Sequence, residues 1–315
     1  MNFKSLDYFI TLVNQGTFTK ASTVLNVTQQ TLSAHIASLE EEFGCQLVVR
    51  HIPVELTYAG ELFLKYAKDL QFRVRNMRND FLDISQNKRG MLRVGIGHTR
   101  GRAIMPDLIA AFQKVHPGIE ILIIEDTNDN LVRKLHEGKV DFSISDFANK
   151  VMGIRIMDIY VEKVALFLPK TLLSDIYGEQ TEEVVRSVRE TGTVTALASC
   201  PFLMNSEHDI AGRFARLMLQ KSDIYPMIKT ETINTNIELL IAMCLQGSGA
   251  LFCQEAMANT VLSPEQQEKL IKINFDDSAN YTVRLGYKEE STNWNAVRDF
   301  IEVTRQLDFG KKLIS

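Results

Sequence analysis

What most constrains this chain is a two-residue connection, Asn26-Val27, between two short apolar-periodic segments. Phe18, Ala21, Ser22 and Leu25 mark one helical face, and Leu32, Ile36 and Leu39 mark the next. Thr17 and Thr28 stand where N-caps belong, and Gly44 is placed to stop the second of these helices. A preceding helix carries Leu6, Phe9, Ile10 and Val13 at i, i+3, i+4 and i+7, and Gly16 ends it. Helices joined by so tight a turn must cross steeply, and the small Ala21 permits the close approach. This is helix-turn-helix geometry, in which the second helix offers its N-terminal residues to a DNA major groove.

Gln29, Gln30, Ser33 and Ala34 lie off the apolar stripe of that helix. A glutamine pairs bidentately with an adenine edge, a serine donates or accepts, and an alanine meets a thymine methyl. A small three-helix core with a merely solvated polar face would show the same pattern, and spacing alone leaves both readings open. Charge does not decide between them. Residues 1–60 hold three basic groups (Lys4, Lys20, Arg50) against five acidic ones, and residues 61–90 hold seven against four. The whole chain of 315 residues carries a formal net charge of −4, so the usual basic footprint of a DNA-binding domain is weak.

From 58 to 87 there is no proline, and no glycine after Gly60. Phe63, Ala67, Leu70, Val74, Met77, Phe81 and Ile84 follow a heptad spacing flanked by charged residues. The stripe suits a two-helix coiled coil with a second copy, or packing of one helix on its own domain. Lys88-Arg89-Gly90 then marks a hinge. No apolar run reaches the ~20 residues that span a bilayer. Asp7 interrupts any signal-like start, and Cys45, Cys200, Cys244 and Cys253 are scattered. Reduced thiols in a cytoplasmic protein fit that spacing better than a disulfide framework, with a redox switch left open.

After Gly90, apolar strands alternate with helices: MLRVGIG, a helix from Ile104 to Val115, IEILIIED, a helix from Leu131, and DFSISD. This pattern predicts an α/β domain with a parallel sheet and a ligand crevice at the strand carboxyl ends. Thr99 and Arg100, Asn205 and Ser206, and Asn234, Thr235 and Asn236 sit where strands end or helices begin, so they are the candidate effector contacts. Arg100 or Arg102 would add charge-assisted bonds to a carboxylate or sulfate, unless both are simply solvated. Gly95-x-Gly97-x-x-x-Gly101 with Glu125 and Asp126 also reads as a dinucleotide fingerprint, making a nicotinamide-dependent oxidoreductase the rival. The bulky His98-Thr99-Arg100 argues against a pyrophosphate there. No nucleophile motif or metal-ligand pair is present, and no cofactor is expected. A binding protein for transport is a third class, disfavoured by the lack of an export signal.

The run FTKASTVLNVTQQTLSAHIASLEEEFGCQLVVR, followed by LTYAG, resembles the head of the LysR-type transcriptional regulators, and LRVGIG through LHEGKVDFSIS resembles their effector domain. Gln30 stands where the family usually has proline, Ala34 where a basic residue is common, and the wing HIPVE is short of a second arginine. The resemblance implies three parts. Residues 1–60 form a winged helix-turn-helix, and 61–89 a linker helix dimerising through Phe63, Leu70, Val74, Met77 and Phe81. Residues 90–315 form a two-lobed α/β effector domain resembling a type 2 periplasmic binding protein. Its first lobe covers about 90–164 and 272–315, and its second about 165–271. The implied partners are operator double-stranded DNA, a small anionic effector, a second copy in a homodimer or homotetramer, and RNA polymerase, with no membrane. Thr28, Gln29, Gln30, Ser33, Ala34 and Arg50 are the implied DNA contacts. In HTRGR, Thr99 matches a position that holds an anion in sulfur-responsive members. The segment between Pro169 and Pro201 is about ten residues longer than usual, and it has no assigned role.

Overall fold

In the computed structural model, which describes residues 2–84, 90–147, 150–232 and 236–310, the head opens with α1 (Phe3–Gln15), α2 (Phe18–Leu25) and α3 (Gln29–Phe43). The Thr17 and Thr28 hydroxyls accept the Lys20 and Thr31 N–H groups at 3.2 and 3.1 Å, so both expected N-caps are in use. Asn26 ends α2 in the left-handed region at φ 53, where an asparagine is tolerated better than most side chains. A two-stranded wing, β1 (Val48–Val49) and β2 (Glu55–Leu56), precedes the long α4 (Tyr58–Ile84). Leu6, Phe9, Leu32, Ile36 and Leu39 form the head's core, joined by Phe63 and Ala67 from α4. Lys88 and Arg89 of the expected hinge lie outside the described residues.

The second unit contains β3 (Gly90–Ile96), α5 (His98–Val115), β4 (Ile119–Glu125), α6 (Asn128–His136), β5 (Phe142–Ser145) and β6 (Arg155–Pro169). Then follow α7 (Lys170–Tyr177), α8 (Thr181–Thr191), β7 (Phe202–Met204), α9 (Ile210–Lys221), β8 (Ile228–Glu231) and α10 (Ile237–Leu245). The unit closes with β9 (Ala250–Gln254), α11 (Glu255–Val261), α12 (Pro264–Gln267), β10 (Leu270–Asn274), β11 (Asn280–Tyr287) and α13 (Asn295–Gln306).

The strand order is β4-β3-β5-β11-β6-β9-β7-β8, with β10 also on β6. The sheet is mixed, where a parallel one was expected. β3 runs parallel to β4 and β5, and β7 to β8 and β9, while β6 and β11 are antiparallel. The reason is topological: the chain leaves one lobe on β6 and returns on β11, so the two crossing strands must run in opposite directions. The first part of β6 pairs with β11, and from Val164 onward it pairs with β9 and β10.

Each lobe buries its own core. Phe142 stacks on Phe300 at 4.5 Å in the first, and Phe214 meets Phe252 edge-on at 5.7 Å in the second. The longer segment after Pro169 forms α7 and α8, whose Leu173, Val185 and Val188 pack into the second core. Helix α5 starts at His98 rather than Ile104, so Thr99, Arg100 and Arg102 are helical. Its apolar period begins late because the first turn directs a buried arginine, not an aliphatic side chain, inward. Among the described residues no helix is long and apolar enough to cross a membrane.

Candidate DNA interface and effector cleft

The first turn of α3 stands outward on a buried base. Leu32 and Ile36 are fully buried, whereas Thr28, Gln29, Gln30 and Ala34 are exposed and Ser33 is half-buried. The Thr28 hydroxyl caps its own helix, which leaves its exposed surroundings, not a free hydroxyl, to meet a phosphate. Arg50 extends from the wing, donating to Glu40 Oε2 at 3.1 Å and Ser33 Oγ at 3.4 Å, with its guanidinium 5.9 Å from the Phe18 ring centroid. The other Glu40 oxygen accepts the Leu47 and Val48 N–H groups at 2.9 and 3.2 Å. Glu40 therefore fixes the start of the wing and steers Arg50. Sequence reasoning missed that role because it depends on a contact ten residues away.

On α4 the expected seam divides. Phe63 is a correction: it lies within the head's core, 4.9 Å from the Phe9 ring and 5.3 Å from Phe43. A short three-helix head has too little apolar volume of its own, and α4 supplies it. Leu70 is half-buried against the same core and Val74 is half-buried, while Met77 and Phe81 are 52% and 61% exposed. Leu62 and Tyr66 also face outward, at helical spacing from Met77.

In the second unit, a cavity of about 320 Å³ opens at the end of β5 and the start of α6, lined among others by Asn128, Ser145, Asp146, Phe147, His208 and Arg213. None of these was anticipated, although the strand end DFSISD pointed there. Arg100 is buried beside it. Its Nε donates to Glu162 at 3.3 Å, its Nη1 to Asn128 Oδ1 at 3.4 Å, and the guanidinium lies 5.3 Å from the Tyr281 ring centroid. The Tyr281 hydroxyl donates to the same Glu162 oxygen. Burial pushes the Glu162 carboxyl above the usual range, with Arg100 opposing. Burial also pushes Asp146 up, opposed by Arg100 and Arg213.

Arg102 is exposed and pairs with Glu238 on α10 at 2.8 Å, outside the cavity. Asn205 and Ser206 are buried. Asn205 Oδ1 accepts the Ser206 N–H and the Thr232 hydroxyl, and Ser206 Oγ accepts the His208 N–H. Asn236 caps α10 through the Leu239 N–H. Asn234, Thr235 and the Thr99 side chain lie outside the described residues. Asp126, the acid of the dinucleotide reading, instead accepts from Lys134, Asn130 and the Thr127 N–H. Burial would raise its carboxyl, but these donors hold it down at about 2.

The family model described as bacterial regulatory helix-turn-helix protein, lysR family, matches residues 3–61, and that of the LysR substrate binding domain matches 85–308. The HTH-type transcriptional regulator YtlI of Bacillus subtilis is 24% identical over 243 residues, 75% of this chain and 77% of that protein. A full-length OxyR variant from Pseudomonas aeruginosa superposes with a TM-score of 0.66 at 20% identity, covering 98% of this chain and 99% of that one. Full-length CbnR complexed with its target DNA gives 0.63 at 20% identity, covering 97% and 99%. At such identities the two structures show the shared fold. Cys45 is exposed, whereas burial pushes the Cys200 thiol up to about 11 and that of Cys244 to about 12, leaving these two protonated and weakly nucleophilic at neutral pH.

Proposed function

Because this chain belongs to the LysR family of DNA-binding transcriptional regulators, with an effector-binding domain and no enzymatic role, we propose that Gln29, Gln30 and Ser33 read its operator. Ala34 adds apolar contact, and Arg50 with the Thr28 end of α3 positions phosphates. The observation that carries this reading is the exposed polar first turn of α3, held rigid over buried Leu32 and Ile36. Gln29→Ala is expected to cost ~1–3 kcal/mol on the duplex recovered by selection from a random pool, and to relax specificity at one position. With few basic groups in the head, and Arg50 already beside Glu40, the salt dependence is expected to be shallow. Equal affinity of the native protein for selected and scrambled duplexes would overturn the reading.

Two copies are proposed to pair through the outward stripe of α4, chiefly Met77 and Phe81 with Leu70 and Val74 partly contributing, and effector domains to add a second contact in a tetramer. Met77→Asp with Phe81→Asp places charges in that seam. Sedimentation should then show smaller species, and wild-type assembly by the double variant would assign the seam elsewhere. The effector is proposed to be a small molecule with an anionic group, held in the cavity between the lobes. Since Arg100 is buried on Glu162 while Arg213 lines the cavity and is half exposed, the anion's partners are Arg213 and the amide N–H groups opening α6. Binding there changes how paired heads sit on DNA, and hence how RNA polymerase is engaged.

A further inference from the structure

The cavity between the lobes holds an ion pair of a particular kind. Arg213 on α9 reaches from the second lobe to Asp146, which follows β5 in the first, at 3.0 Å. The Arg213 side chain is 49% exposed and that of Asp146 only 18%. Beside Asp146, Ser145 is fully buried, lines the cavity, and has a hydroxyl with no partner among the described residues. The nine-residue α6 turns its amino end toward the same space through Asn128. Val132 and Phe147 supply an apolar wall.

These groups discriminate among ligand charges. A lone carboxylate that takes Arg213 removes the direct ion-pair partner of Asp146, leaving it only the charge of Arg100, and sets a second anion beside a mostly buried one, which low-dielectric surroundings penalise. A lone ammonium replaces Arg213 on Asp146 one for one, leaving the Ser145 hydroxyl and the α6 amides without an acceptor. A molecule carrying both charges gives Asp146 a cation and gives Arg213 and the Ser145 hydroxyl an acceptor. At roughly 30 Å³ per water-sized group, the cavity of about 320 Å³ has room for a ligand about the size of leucine.

We propose that the effector is a zwitterion of the α-amino acid class. Its ammonium takes the place of Arg213 on Asp146, and its carboxylate binds Arg213, Ser145 and the start of α6. An apolar side group lies against Val132 and Phe147. The ligand thereby replaces a direct lobe-to-lobe pair with a bridged one, which couples occupancy to the lobe angle. This proposal rests on the reading that the cavity takes a small ligand with an anionic group.

The test uses the full-length protein and three matched pools, read by thermal shift and then calorimetry. The first pool holds leucine, valine, methionine and phenylalanine. The second holds the same molecules without the amino group, and the third without the carboxylate. At least one amino acid should raise the melting temperature and bind about tenfold or more tightly than its matched acid and amine. Asp146→Asn should weaken that hit by about tenfold, and Ser145→Ala should weaken it while leaving the unliganded protein folded. Carboxylates binding as tightly as their amino acids overturn the zwitterion and leave the anionic-effector reading standing. Binding confined to amines overturns both readings, and no binding in any pool overturns the zwitterion.

Discussion

Replacing Arg100 with methionine is expected to destabilise the effector domain by about 3–5 kcal/mol, the usual cost of removing one partner of a buried ion pair. Arg100 and Glu162 have side chains only 4% and 3% exposed, so solvent screens little. Without the guanidinium, the Glu162 carboxyl keeps the Tyr281 hydroxyl as a donor but no cation of its own, and must stay protonated or be buried as an uncompensated charge. At about 2–4 °C per kcal/mol for a domain of this size, calorimetry should show a fall of roughly 6–20 °C.

The pH dependence gives a second readout. Burial already lifts the folded pKa of Glu162 above its unfolded value, and losing Arg100 removes the opposing pull. The folded state then binds the proton more tightly than the unfolded one. Stability is therefore fully present below the unfolded value and is lost as pH rises through the folded one. The gap between variant and wild type should be wider at about pH 8 than at about pH 5. Adding Glu162→Gln should recover most of the loss, because the stranded charge is gone. A single variant as stable as wild type, with a flat pH profile, would show that the pair is energetically idle.

Gly60→Ala is expected to cost about 3 kcal/mol or more and to strip the head of operator binding. A Cβ at Gly60 would overlap the Leu47 carbonyl oxygen, which is backbone and cannot swing aside. That carbonyl accepts the Thr57 N–H at 3.1 Å, and the Leu47 N–H donates to Glu40, so the strand is held from both sides. Relief requires α4 to lift off β1, which uncouples Phe63 and Ala67 from Phe9 and breaks the path from Glu40 to Arg50. Denaturant unfolding of the full chain should show a separate early transition for the head, with operator affinity down by more than about tenfold. Wild-type affinity and one unchanged transition would contradict the close approach on which this argument depends.

How much was legible in the sequence follows the range of each interaction. Thr17, Thr28, Gly16 and Gly44 cap helices through bonds spanning a few residues, so their roles can be read from spacing. The apolar runs that produced β3 and β5 are likewise local, since each is largely buried along its own length, whereas the edge strand β4 leaves Leu122 and Ile123 exposed. Outcomes that depended on distant partners could not be read in this way. Phe63 kept a perfect heptad position yet went into the head's core, because the nearest uncovered apolar surface belonged to Phe9 and Phe43. Arg100 and Arg102, two residues apart, diverged completely: one is buried on Glu162, 62 residues on, and the other is exposed on Glu238. Asp146 and Arg213 meet only because β6 and β11 carry the chain between lobes and back. The sequence by itself determined the elements, their caps and the family of the fold, since those rest on periodicity and short-range hydrogen bonds. The tertiary structure alone decided which charges are buried, which face of α4 remains outward, and which groups surround the cavity, because each of those depends on partners that chain order does not bring together.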